Sequence, residues 1–320
     1  MHFFRYLCSI FFHAGLSYLQ KTFPSEYPVE LSQTVSWLGL LMKYFLLILG
    51  LLLGLPQVGR AFIPLEPLQI AQQFVAPAAW PEMKSYLCCE VASQAKRQSL
   101  GQQIPTRLRR VCQLLYQGST TAVVAVELSD SVGRNDFYLH FSKEADGWKL
   151  QAVRSLSMTK LGAPMLEILT AMPPAEVAQY DLKHPNANHA FTVGNLRLWT
   201  ATDATIAAHF TSHRADFEKV LHLIQAGHYF AAPADTSRIG ERAANASPAI
   251  NKRLQRLFIS RVGQRDTGCA TCVEFLIGGR MNSTVGLFYE PNAAAVPTMH
   301  PNSIIAIKPL GDGWYLYKTS

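Results

Sequence analysis

The sequence predicts an α+β protein with two modules, each made of helices followed by a curved antiparallel β-meander, behind an N-terminal signal or anchor segment. Three observations carry this. Asp146-Gly147-Trp148-Lys149-Leu150 recurs as Asp312-Gly313-Trp314-Tyr315-Leu316, each copy after a β-prone run. Helical periodicity precedes each copy. The composition, 49% hydrophobic and 16% charged over 320 residues, supplies ample material for a core. That balance excludes collagen-like, low-complexity and disordered chains. A polytopic membrane protein is excluded too, because a single apolar run approaches spanning length. The net charge of +7 is too small for the footprint of a nucleic-acid-binding domain.

The apolar run from Trp37 to Leu55 is long enough to cross a bilayer as an anchor. Read from Met42, the same region is a signal peptide over 42–61. Lys43 is the basic start, Tyr44 to Leu55 the apolar stretch, and Gly59-Arg60-Ala61 a small-x-small cleavage site. Residues 1–41 then read as an over-long extension. Either reading places the bulk of the chain outside the cytoplasm, periplasmic or secreted, or held there by a single anchor through 37–55. The expected division is a first module over 62–160, a linker over 161–200 and a second module over 201–320.

In the first module, Leu65 to Val75 and Pro81 to Arg97 read as helices. Pro81 suits a first helical turn, and Met83, Leu87 and Val91 recur every four residues. Strands follow over Leu108 to Tyr116, Thr121 to Leu128 and Asp136 to Phe141. Asp146-Gly147 then makes a tight hairpin, since Gly accepts the positive φ it requires. The linker, rich in Pro and Asn, carries local helix near Met165 to Met172, and Thr192 to Thr200 has strand character. In the second module Asp203 is the expected cap of a helix running to Gln225. Its buried stripe is Ile206, Phe210, Phe217, Val220, Leu221 and Ile224. A further helix over Pro248 to Val262 closes at Gly263. Strands over Ser283 to Tyr289 and Ser303 to Ile307 lead into the second Asp-Gly hairpin.

Phe137-Tyr138-Leu139-His140-Phe141, then Asp146 to Leu150, then Val153-Arg154-Ser155-Leu156 resembles the closing strands of nuclear-transport-factor-2-like, cystatin-fold proteins. Many small exported bacterial proteins of undefined role have that pattern. The resemblance covers about a third of the chain. It implies a curved sheet wrapped against helices, often around a conical pocket, and carries no catalytic residues across.

Cys269-Ala270-Thr271-Cys272 is the most chemical-looking motif. A redox CxxC needs a helix N-terminus to stabilise one thiolate, whereas a strand-like run, Val273 to Ile277, follows here. The expectation is a short-loop disulfide, or two thiols at a strand start. Cys88, Cys89 and Cys112 leave an odd number of cysteines after residue 61, so one thiol stays unpaired within the chain. His209 and His213 share a helix face at i, i+4, but position 210 is Phe, so the H-E-x-x-H motif is absent and no metal site is assigned. Ser157-Met158-Thr159-Lys160 matches S-x-x-K, as does Ser93-Gln94-Ala95-Lys96, and that repetition deprives the pattern of meaning. No catalytic residue and no cofactor are assigned.

Lys252, Arg253, Arg256 and Arg261 form a basic outer face on the 248–262 helix, with Lys252, Arg253 and Arg256 as the binding candidates. Such a face meets an acidic partner, an anionic membrane surface, or only water. The expected function is non-catalytic: binding a protein partner or a small apolar ligand through a curved sheet. The competing expectations are a periplasmic enzyme, thiol redox or hydrolase, and a membrane-anchored accessory protein.

Overall fold

Nine α-helices and two antiparallel sheets, of four and five strands, make up the described part of the chain, a computed structural model. It describes residues 64–95, 98–131, 134–156, 159–230, 237–264, 266–280 and 283–320. The apolar run 37–55, the signal reading 42–61 and Ser157-Met158 lie outside the described residues. Among the described residues no helix is long and apolar enough to cross a membrane. Ile63–Ser320 form one compact unit.

Helix α1 (Pro67–Val75) starts two residues later than the expected Leu65 and ends at Val75 as expected. Pro67 occupies the first turn, where a missing N–H costs nothing, and the Gln69 side chain accepts the Glu66 N–H at 2.9 Å. Its Ile70, Ala71, Phe74 and Val75 face the first sheet. The long helix expected over 81–97 is broken. A 3₁₀ turn (Met83–Tyr86), α2 (Cys89–Gln94) and α3 (Leu100–Gln103) replace it. The cause is main-chain pairing. Leu87 is extended and bridges Leu150, the Cys88 N–H donates to the Leu150 carbonyl at 3.0 Å, and Cys89 turns the chain at φ 54°.

Strands β1 (Arg109–Gln117), β2 (Thr121–Ser129), β3 (Arg134–Glu144) and β4 (Gly147–Arg154) form a meander in sequence order. Val124, Val126, Leu139, Phe141, Trp148 and Leu150 cover its helix side. Val123, Ala125 and Tyr138 cover the other side, against Ile305 and Ala306. Burial on both faces explains why β2 is continuously apolar where a half-exposed strand would alternate.

The stretch read as a linker folds into α4 (Thr159–Thr170), which overlaps the helix expected near Met165 to Met172, and into α5 (Pro174–Lys183) and α6 (His189–Trp199). Pro174 and Asn188 are helix starters here, while Pro164 is accommodated inside α4. Pro174 sits in a first turn, and Asn188 Oδ1 accepts the Phe191 N–H at 2.9 Å. The strand character read over 192–200 is overridden because a helix buries Val193 and Leu196 on one side of α6 and Leu198 on another. Helix α7 (Asp203–Ala226) buries the expected stripe in full. Its cap is Thr202, whose hydroxyl accepts the Thr205 N–H at 3.3 Å, while Asp203 stands inside the first turn. Helices α8 (Ser237–Ala246) and α9 (Pro248–Arg256) follow. Helix α9 ends earlier than expected because Phe258 turns at φ 58°, and Gly263 lies in β5 (Arg261–Gly263).

The second sheet adds β6 (Val273–Arg280), β7 (Ser283–Tyr289), β8 (Ile304–Gly311) and β9 (Trp314–Thr319), ordered β5-β6-β7-β9-β8. It is not a simple meander. Strand β8 runs along the edge, and β9 folds back between it and β7. The hairpin has three consecutive positive φ values, 94° at Gly311, 49° at Asp312 and 79° at Gly313, as an Asp-Gly turn requires. Phe275, Ile277, Val285, Leu287, Trp314 and Leu316 pack under α7 and α9.

Candidate functional site

A groove of about 660 Å³ lies between the start of α6, helices α8 and α9, and the entry to β5. Phe191 and Leu254 contribute apolar surface, while Asn186, Arg242, Asn251 and Gln255 contribute polar surface. The volume falls within the usual range of ligand sites, about 300–1,000 Å³. Several of its polar groups hold the walls together. Asn245 Nδ2 donates to the Val262 carbonyl at 2.8 Å and Asn245 Oδ1 accepts the Val262 N–H at 2.9 Å, tying α8 to β5. Gln255 Nε2 donates to the Asn186 carbonyl at 3.2 Å, closing one end. Arg261 neutralises Glu241 at 2.7 Å and Asp266 at 2.8 Å. Among the described residues no carboxylate pairs with Arg242, which is exposed in the groove.

Helix α9 explains the fate of the basic face. Ile250 and Leu254 point into the core, and Asn251 and Gln255 line the groove. Lys252 and Arg256, one turn apart, are exposed, and among the described residues no carboxylate pairs with either. Arg253 is turned toward α7, with Nη1 3.6 Å from Asp216 Oδ1. Lys252 and Arg256 therefore add positive potential beside the groove, and Arg253 is largely cancelled.

Cys269 and Cys272 form a disulfide with Cα atoms 5.4 Å apart at the entry to β6. Both residues are buried. Beside them lies Glu290, 3% exposed. It accepts the Thr271 hydroxyl and, at 2.9 Å, the Asn292 N–H. Val273 faces Tyr289 across the β6–β7 register, so the next position outward on each side brings Cys272 and Glu290 together.

His209 and His213 share a face, with ring centroids 4.4 Å apart, and one nitrogen of each ring is engaged by main chain. His209 Nε2 lies 3.1 Å from the Leu257 carbonyl and His213 Nδ1 2.9 Å from the His209 carbonyl. Burial, with His213 adding to it, lowers the His209 pKa. Asp216 is spent on Arg253 and Lys219. Arg110 donates to the Ile104 carbonyl at 2.9 Å and so caps α3. Ser93 donates to the Glu90 carbonyl at 2.7 Å within its own helix.

A smaller hollow of about 250 Å³ lies under the first sheet, lined by Phe74, Met83, Val91, Leu100 and Val153 with Glu90 and several Gln at its rim. A third feature is a buried charged cluster where the two sheets meet. Lys318 Nζ lies 2.8 Å from Asp203 Oδ1 and 3.7 Å from Asp136 Oδ2. Tyr138 donates to Asp203 at 2.8 Å. Burial, then Asp203 beside it, raises the Asp136 pKa.

The sequence reading missed Arg242 and Glu290. Arg242 looks like any surface arginine until α8 and α9 are folded against each other. Glu290 joins the cysteines only through the hairpin register. No protein-family model matches this chain, and no match to it was found among curated proteins or solved structures.

Proposed function

We propose that this chain is an exported, non-catalytic binding protein that holds an acidic segment of a partner protein in the groove between α6 and the α8–α9 pair. The observation that carries this is Arg242, a cation without a carboxylate partner among the described residues, set in a concave surface with Lys252 and Arg256 beside it. An acidic segment supplies the missing counter-charge, and its main chain meets the side-chain amides of Asn251 and Gln255. Phe191 and Leu254 provide apolar contact below. Such a mixture of a few placed polar groups on an apolar base is what binding sites use. A concave polar surface suits a chain segment better than a bilayer, which meets a convex face with protruding apolar residues. Among the described residues, none of the exposed large apolar side chains lies on α9. Export is supported by the Cys269–Cys272 disulfide, which persists in oxidising compartments.

The test is fluorescence anisotropy of a labelled Asp/Glu-rich decapeptide, with its Asn/Gln counterpart as control. The acidic peptide binds and the neutral one does not. Arg242→Glu weakens binding at least tenfold, and Lys252→Glu with Arg256→Glu weakens it less. Equal binding of the two peptides, or indifference to Arg242→Glu, overturns the reading. Binding to anionic vesicles in preference to the peptide favours the membrane-accessory alternative.

The hollow under the first sheet favours a second reading, a small apolar ligand held by Phe74, Met83 and Val91. A dye that brightens in apolar surroundings binds the native chain under that reading, and Val91→Trp, which fills the hollow, abolishes the signal.

A further inference from the structure

Cys269, Cys272 and Glu290 each offer one ligand atom, and these atoms all lie within 4.8 Å of one another. All three residues are buried, at 5%, 0% and 3% exposure. Tetrahedral zinc with Zn–S of about 2.3 Å places neighbouring ligands about 3.5–4 Å apart. The carboxylate already stands at that range, with Cys269 Sγ 3.9 Å from Glu290 Oε2. The two sulfurs need only separate once their bond is cut.

We propose that reduction converts this disulfide into a zinc site in which both thiolates and the Glu290 carboxylate bind one Zn²⁺, with water in the fourth position. A dithiol reductant delivers two electrons and two protons to the S–S bond and is itself oxidised to its disulfide. Zinc then displaces the two thiol protons to solvent, and the metal–ligand set carries a net charge of minus one. The loop thus has two closed states, a disulfide where the surroundings oxidise and a zinc complex where they reduce.

The surroundings fit a metal in three respects. The ligands are held by outer partners, as metal ligands are. The Thr271 hydroxyl and the Asn292 N–H fix the carboxylate, and the Cys272 N–H donates to Cys269 Sγ at 3.1 Å, a contact that strengthens with a thiolate. The shell is dry, formed by Phe288, Ile304, Ile307 and Tyr317. The ligand set is two soft sulfurs and one hard oxygen, which suits Zn²⁺ over Mg²⁺ or Ca²⁺. Among the described residues no cation pairs with the buried Glu290 carboxylate, and zinc supplies one once the two thiolates are free to share it. This inference is independent of the groove.

The experiment uses the full chain with Cys8, Cys88, Cys89 and Cys112 changed to Ser, so that other thiols do not compete. Zn²⁺ alone is added against a chromophoric chelator, before and after reduction with a dithiol. The reduced chain takes up one Zn²⁺ and the oxidised chain none. Co²⁺ in place of zinc shows thiolate charge-transfer absorption and the visible bands of a tetrahedral site. Glu290→Gln weakens zinc at least tenfold while the oxidised variant keeps its circular dichroism, and Cys272→Ser abolishes uptake. If reduction loosens the fold, zinc restores the thermal transition of the reduced chain and leaves that of the oxidised chain unmoved. Absence of uptake by the reduced chain, equal uptake by Glu290→Gln, or a reduced chain whose transition zinc does not raise overturns the proposal.

Discussion

Lys318 Nζ lies 2.8 Å from Asp203 Oδ1, joining the last strand to the first turn of the longest helix with both side chains under 10% exposed. Tyr138 of the first sheet donates to the same carboxylate, and Asp136 accepts the Asp203 N–H at 2.6 Å. One cation thus serves two buried carboxylates from different parts of the chain. Removing the cation of such a set leaves uncompensated buried charge, which costs about 3–5 kcal/mol.

Lys318→Met is therefore expected to destabilise the protein by about 3–5 kcal/mol at pH 7, measured by urea denaturation. Asp136→Asn is expected to cost much less. Burial raises the Asp136 pKa, so the folded state binds the proton more readily than the unfolded one. Its contribution is complete below the ordinary value of 3.8 and is lost as pH rises through the raised folded value. The double variant should recover part of the loss. Equal costs for the two single variants would contradict this.

His140, 2% exposed, has an Nε2 with no hydrogen-bond partner among the described residues. Burial lowers its pKa from 6.5 to about 4. Between those values the unfolded chain binds the proton and the folded chain does not. Stability from this group is present above 6.5 and falls as pH drops toward 4, by about 3 kcal/mol over the window. His140→Gln is expected to flatten that part of the stability–pH curve. An unchanged slope would show that the imidazole does not titrate in this way.

Trp314 and Trp148 occupy the same place in the two Asp-Gly motifs but have different surroundings. Trp314 is ringed by Phe210, Phe275 and Tyr289 at centroid distances of 5.1, 5.2 and 5.4 Å. Trp148 has the Lys143 ammonium over its ring at 5.5 Å. Trp314→Ala is expected to cost about 3–5 kcal/mol by thermal or urea unfolding, and Trp148→Ala less. The opposite order would contradict the packing described.

Cys89 is exposed, Cys88 and Cys112 are half-buried, and Cys269 and Cys272 are bonded to each other. Alkylation of the native, unreduced chain should label Cys89 first among the described cysteines and leave Cys269 and Cys272 unmodified, as read by peptide mass. Labelling should be slow at neutral pH. The hydrogen bond to Cys88 pushes the Cys89 thiol up to about 11, and the thiolate is the reactive form. Its rate should climb with pH through 9 and above. Early labelling of Cys272 would refute the disulfide.

Local pattern made the α7 stripe and both Asp-Gly hairpins legible, because each depends on side chains three or four residues apart or on one turn. The 161–200 stretch misled for a physical reason. Pro173-Pro174 and Asn188 break helices internally but begin them well, and apolar residues such as Val193 and Leu196 count only once a partner surface exists. The order of the second sheet was hidden because nothing local records that β9 inserts between β7 and β8. Glu290 was hidden for the same reason, since its contact with the disulfide follows from register. The groove is written in amides and an arginine, residue types that on a bare sequence look like ordinary surface.

The most direct test of the binding account is to follow amide and side-chain resonances of the isotope-labelled chain as the acidic decapeptide is added. The account predicts shifts concentrated on the Arg242 guanidinium, the Asn251 and Gln255 side-chain amides and Phe191. Shifts that bypass these residues and gather around Phe74, Met83 and Val91 would contradict it and move the binding site to the hollow beneath the first sheet.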